Sequence, residues 1–226
     1  MATTPANYGR VDSKWLQPLE YCLFATAAIF GLLVLLPVLV ESGLVGSLAV
    51  VYSMGLLALV PLGFVFGLIV AVLLYLDSRH VRTAGLEWAP SPGLYGVLGL
   101  LFSGLAVIDY LYKRNEHATG LPTSSRWWYG VVGLAVLALL TAGLQSVTST
   151  WLTRLPELLV TGLPICLYRD SGYLRETTDW RPNPATYFTA AWVVLLVFIL
   201  FSTIGAVLVV TLLAVYGIQR HRALEH

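Results

Sequence analysis

Two aspartates carry the most chemical information in this chain, because each stands in the same setting. Asp77 lies in Tyr75-Leu-Asp-Ser-Arg-His-Val-Arg82, and Asp170 lies in Tyr168-Arg-Asp-Ser-Gly-Tyr-Leu-Arg175. A few residues on, Trp88-Ala-Pro-Ser-Pro-Gly-Leu-Tyr95 is matched by Trp180-Arg-Pro-Asn-Pro-Ala-Thr-Tyr187. An apolar run precedes each aspartate, so each is read at the carboxyl end of a helix, where its charge opposes the helix dipole and calls for a cationic partner. The nearest candidates are Arg82 and Arg175, five residues along. The plain reading is an interfacial ion pair that shapes the turn before the Trp-x-Pro-x-Pro segment. The sharper one is a polar gate, or a contact for a lipid headgroup or an ion, made with Arg82, Arg175 and His80. Trp88, Trp180, Tyr95 and Tyr187 are read as headgroup anchors, since amphipathic rings collect at the membrane surface; an aromatic-ligand site is a lesser alternative.

Arg154 and Glu157 form a second candidate. Three residues apart, they share a helix face and can pair, and an ionisable residue at membrane depth is a functional hypothesis by default. The alternative puts both at the interface. Asp109 completes a candidate substrate or ion pathway, although it can simply pair with Lys113 one turn on. Tyr216-x3-Arg220 near the end echoes Tyr110-x3-Arg114 and Tyr75-x3-Arg79. All four histidines (80, 117, 221 and 226) fall in loops or tails, which argues against a haem or zinc site in the membrane. With no nucleophile elbow or paired acidic cluster, the expectation is no catalysis, no metal and no cofactor. Cys22 and Cys166 read as structural thiols. No basic run exceeds two residues, so nucleic acid is not an expected partner; membrane lipids, a second copy or another membrane protein are.

These residues are positioned by apolar segments. Of 226 residues, 58% are hydrophobic and 11% charged, against about 25% charged in soluble domains. The expected fold is all-α, a polytopic transmembrane helical bundle of five to six spans, at about residues 15–40, 44–76, 93–112, 127–147, 151–168 and 186–216. Pro61 is the expected kink in the second span, and Gly55, Gly63 and Gly67 are expected to allow close helix approach. Pro92, with Ser91 as cap, and Asn183-Pro184 start the helices after the two polar stretches. Segment 151–168 is interrupted by Pro156, Gly162 and Pro164, so it is either a broken span or a re-entrant element. The halves 1–125 and 126–226 read as an internal duplication, three spans plus three. An odd repeat implies inverted topology. With the amino terminus in the cytoplasm, six spans put seven Lys and Arg inside and six outside; five spans put eight inside and five outside, of thirteen in all. The terminal Leu224-Glu-His226 reads as the start of a purification tag.

Tyr75, Asp77, Arg79, Trp88, Pro90, Pro92, Tyr95 and the run Tyr110 to Arg114 resemble the pattern of a group of small multispanning membrane proteins of halophilic archaea. The likeness covers about 40 residues of the first half and is weaker in the second, where Gly172 replaces the first arginine. It implies a cell-membrane location and brings no activity with it. The function expected from the repeat and the broken segment is a small transporter or permeation-type protein. The alternative is a non-catalytic membrane scaffold or accessory subunit that binds lipid, pigment or another membrane protein.

Overall fold

The computed structural model describes residues 9–41, 48–119, 124–144 and 155–225. Among the described residues the regular structure is helical apart from a two-residue parallel bridge, Gly9–Arg10 beside Ala118–Thr119. The helices are α1 (Leu16–Glu41), α2 (Leu48–Thr83), α3 (Pro92–Leu101), α4 (Ser103–His117), α5 (Trp127–Gly143), α6 (Leu155–Val160), α7 (Leu163–Thr177), α8 (Pro184–Leu200) and α9 (Ser202–Glu225). Among the described residues, three stretches are long and apolar enough to cross a membrane: Leu16–Val34, Pro61–Thr83 and Ser202–Glu225. The chain is thus all-helical with membrane-type segments.

Two compact units divide it. The first joins Met1–Leu23 to Gly63–Pro122, and the second joins Phe24–Leu62 to Thr123–His226. In the first, α3 lies close against α2, because glycine removes the side chains between them. A Cβ on Gly99 would stand 2.9 Å from the Ala71 Cα, and one on Gly67 would stand 3.2 Å from the Leu100 carbonyl. Of the three glycines expected to thin α2, only Gly67 has a close neighbour; Gly55 and Gly63 have none within 4 Å. Pro61 lies inside α2, which runs on through it.

In the second unit α5 runs antiparallel to the α6–α7 segment. Gly130 approaches Cys166, and Gly162 approaches Leu134. A core of Val131, Leu167, Leu174, Ala191 and Tyr216 ties α5, α7, α8 and α9 together. In the described part of segment 151–168, α6 and α7 are separated by Thr161-Gly162, and α7 continues to Thr177.

The largest departure from the expected spans lies in the stretches 93–112 and 186–216. Each is two helices that fold back on each other rather than one helix. At Phe102 the backbone leaves the helical region (φ −136°, ψ 45°), and at Phe201 it does the same (φ −144°, ψ 75°). The corner costs no hydrogen bond at that residue. The Phe102 amide still donates to the Leu98 carbonyl at 2.7 Å, and its carbonyl accepts from Ala106 at 2.9 Å. Phe201 does likewise with Val197 (2.7 Å) and Gly205 (2.8 Å). The rings of Tyr95 and Tyr110 then meet at 4.9 Å, and those of Tyr187 and Tyr216 at 4.8 Å. A straight helix would hold Tyr95 and Tyr110 about 22 Å apart, so the arms are antiparallel. Hydrophobicity alone could not reveal this, since the apolar run continues unbroken through the corner at Phe102 and at Phe201.

The arms α3 and α8 have 10 and 17 residues, and the corner-to-tyrosine stretch of the return arm is seven residues longer in the second hairpin as well. Seven residues are about two helical turns, so the added length leaves every side chain on its original face. At the helix starts, Pro92 and Pro184 take the expected first positions. Asn183 caps with its side chain, accepting from the Ala185 amide at 3.1 Å, whereas Ser91 makes no side-chain cap bond.

Candidate functional site

The polar stretches around Asp77 and Asp170 are helix, not loop. Residues 75–82 lie within α2 and 168–175 within α7, so neither aspartate stands at a helix end. Both are fully buried. Burying a carboxylate without a partner is costly, and the partner in each case comes from the return arm of the following hairpin.

In the first unit, Asp77 Oδ2 accepts from the Tyr110 hydroxyl at 2.6 Å and from Arg114 Nε at 3.0 Å. Both side chains of the ion pair are almost wholly out of solvent. Tyr110 and Arg114 are four apart on α4 and share a face, which lets one carboxylate engage both. Arg114 Nη2 donates to the Val11 carbonyl at 3.1 Å, so the amino-terminal segment is held to the same point. His80 adds a contact to the Asp12 carbonyl at 3.2 Å.

The second unit repeats the arrangement. Asp170 Oδ2 accepts from the Tyr216 hydroxyl at 2.8 Å and from Arg220 Nε at 3.0 Å. Here the outer guanidinium nitrogen, Arg220 Nη2, lies 3.5 Å from Asp170 Oδ1. The Arg220 guanidinium sits 4.6 Å over the Trp128 ring.

Aromatic rings close the base of each hairpin. Trp88 packs on Tyr95, Tyr110 and His117, and Trp180 packs on Tyr187 and Tyr216. The expected partners Arg82 and Arg175 are therefore corrected. Arg82 is exposed on the last turn of α2 while Asp77 pairs with Arg114, and Arg175 is buried with Nη1 3.4 Å from the Arg181 carbonyl while Asp170 pairs with Arg220. A partner five residues along a helix is rotated about 140° away, whereas the arm that folds back presents its cation directly. Tyr-x3-Arg at two helix ends was the available signal. Its link to the aspartates required the hairpin.

Of the pathway candidates, Asp109 belongs to the first unit and Glu157 to the second. Asp109 is exposed and pairs with Lys113 at 3.0 Å, as its spacing allows, and it accepts from the Tyr95 hydroxyl at 3.2 Å. The hydrogen bond to Asp109 pushes the Lys113 ammonium above its ordinary range. Glu157 is buried on α6. Arg154 lies outside the described residues, and so does any pairing of it with Glu157.

Chemically, each constellation is a fastener. One buried carboxylate oxygen accepts from one phenol and one guanidinium, joining the helix that carries the aspartate to the return arm. Comparison with protein-family models, with curated proteins and with solved structures finds no match to this chain.

Proposed function

We propose that the chain is a non-catalytic integral membrane protein, a scaffold or accessory subunit, built from two copies of one helix-and-hairpin module whose bases both face the cytoplasm. The observation that carries this reading is the fold-back at Phe102 and Phe201. The ten residues of α3 extend about 15 Å, half of a roughly 30 Å hydrocarbon core. The tips are apolar and exposed, with Leu105 at 71% and Leu200 at 70%, which suits burial in lipid.

A hairpin returns the chain to the side it came from whether or not its arms span the layer, so each half makes an even number of crossings rather than three. Repeats with an even number of crossings are parallel, not inverted. With this threading every lysine and arginine except Arg154 falls on the cytoplasmic side, out of thirteen. That is a far sharper bias than seven to six, and it is the bias that sets orientation. Two parallel modules whose buried charges are locked internally give no alternating pair of gates. They do offer lipid and neighbouring helices a wide apolar surface.

Single cysteines at Thr83 and Thr177, both exposed at helix ends, test the arrangement. Ser78 and Ser171, the matching hydroxyls in the polar stretches, are buried and unsuited to labelling. A membrane-impermeant maleimide is expected to label both variants in inside-out vesicles and neither in right-side-out vesicles. Labelling from opposite sides restores the inverted arrangement and the transport reading it supports.

Permeation is the second reading, favoured by the first hairpin, whose ten-residue α3 enters the apolar layer without spanning it. Proteoliposomes assayed for water and monovalent-cation flux separate the two. Flux above that of protein-free vesicles replaces the scaffold reading.

A further inference from the structure

In the second unit a polar cavity of about 510 Å³ lies at the hairpin base, lined by Arg175, Glu176, Asp179 and Arg181 among others. Beside it, sharing Asp179 and Ala223, is a smaller and mainly apolar one of about 280 Å³, lined by Trp180, Gln219 and Arg222. The first unit shows why the space beside Trp180 is open. Counting from the paired tyrosines and arginines, His117 and Ala223 occupy the same position, three residues after Arg114 and Arg220. His117 stacks on Trp88 with centroids 5.8 Å apart and planes at 27°. Ala223 has no ring to place over Trp180.

We infer that this paired cavity is a binding site for a phosphate-bearing anion, the headgroup of an acidic phospholipid. Chemistry, shape and place point the same way. Arg175 and Arg181 line the polar chamber beside Glu176 and Asp179, Arg222 stands on the adjoining chamber, and guanidinium groups match phosphate oxygens in a planar, two-point geometry. The apolar chamber under Trp180 adjoins the polar one, so a phosphate can sit among the arginines while the glycerol and first methylenes lie along the indole. Trp180 is also the type of residue that collects at headgroup depth, where basic clusters recruit acidic lipids. The inference rests on the reading of this end as the membrane surface, which labelling at Thr177 tests separately.

The test uses the full chain purified in detergent, titrated with phosphatidylglycerol, phosphatidylcholine or inorganic phosphate while thermal unfolding is followed. Phosphatidylglycerol is expected to raise the unfolding temperature and phosphatidylcholine to leave it unchanged. Two variants keep the interpretation sharp. Ala223→His closes the chamber as His117 does in the first unit, without removing a positive charge. Arg181→Gln removes an exposed cation and leaves the Asp170 pair untouched. Each should weaken the lipid effect about tenfold, the loss of one charge-assisted contact. Equal protection by inorganic phosphate, lost in the same variants, supports the anion site and identifies a free phosphate as its occupant. Equal protection by both lipids, no protection by any of the three, or unchanged affinity in both variants overturns the proposal.

Discussion

Arg114→Ala is expected to be the most damaging single substitution in the first unit, costing about 3–5 kcal/mol of stability, the usual penalty for stranding a buried charge. The reason is local. Asp77 is wholly buried, and its Oδ1 has no hydrogen-bond partner among the described residues, so loss of Arg114 leaves one phenol to hold the whole carboxylate. The substitution also frees the Val11 carbonyl and with it the amino-terminal segment. Arg220→Ala should cost less, because Arg220 keeps 13% of its side chain in solvent and water can reach part of the vacated space. Adding Asp77→Ala to Arg114→Ala should recover stability, since the double variant carries no stranded charge. Unfolding in mixed detergent micelles compares all of these with the wild type. A wild-type midpoint for Arg114→Ala would mean that the buried triad does not fasten the hairpin.

Gly205→Ala should be nearly as severe, for a steric reason. A Cβ at that position would stand 2.1 Å from the Phe198 Cα, a backbone atom that yields only if the arms of the second hairpin separate. Overpacking of this kind costs about 1–3 kcal/mol, and more where backbone must move. Gly104→Ala is the control, close to the Phe102 corner on the equivalent arm, where nothing lies within 4 Å. There alanine should be neutral or stabilising by up to about 1 kcal/mol, its helix-propensity advantage over glycine. The contrast distinguishes a tight hairpin from a general dislike of larger residues near the corner.

The sequence made some of this structure legible, and the limits have physical causes. Membrane character followed from composition, and the helix starts at Pro92 and Pro184 followed from proline's fixed φ and missing amide proton. The pair Asp109–Lys113 and the break near Gly162 were also readable, because both depend on neighbours a few residues apart. The hairpins were not. An apolar stretch of 20 to 30 residues has the same hydropathy whether it crosses a bilayer or doubles back within it, and the corner is one phenylalanine with an unusual ψ. That single omission had two consequences. It hid the arm that brings Arg114 to Asp77 and Arg220 to Asp170, so the aspartates were assigned to the arginines five residues on in each copy. It also assigned each half an odd number of crossings, from which an inverted repeat followed. The echo of Tyr110-x3-Arg114 in Tyr216-x3-Arg220 was visible throughout and acquires its meaning only once the arms fold back.

The hairpin is the point on which the rest depends, and one labelling measurement addresses it directly. Glu87 precedes the first hairpin and Glu116 follows it; both are exposed. With a single cysteine at either position in otherwise cysteine-free protein, an impermeant maleimide applied to sealed inside-out vesicles should label both variants, and neither in right-side-out vesicles. If the two positions label from opposite sides, residues 93–112 cross the membrane, and neither the hairpin nor the pair of parallel modules built on it survives.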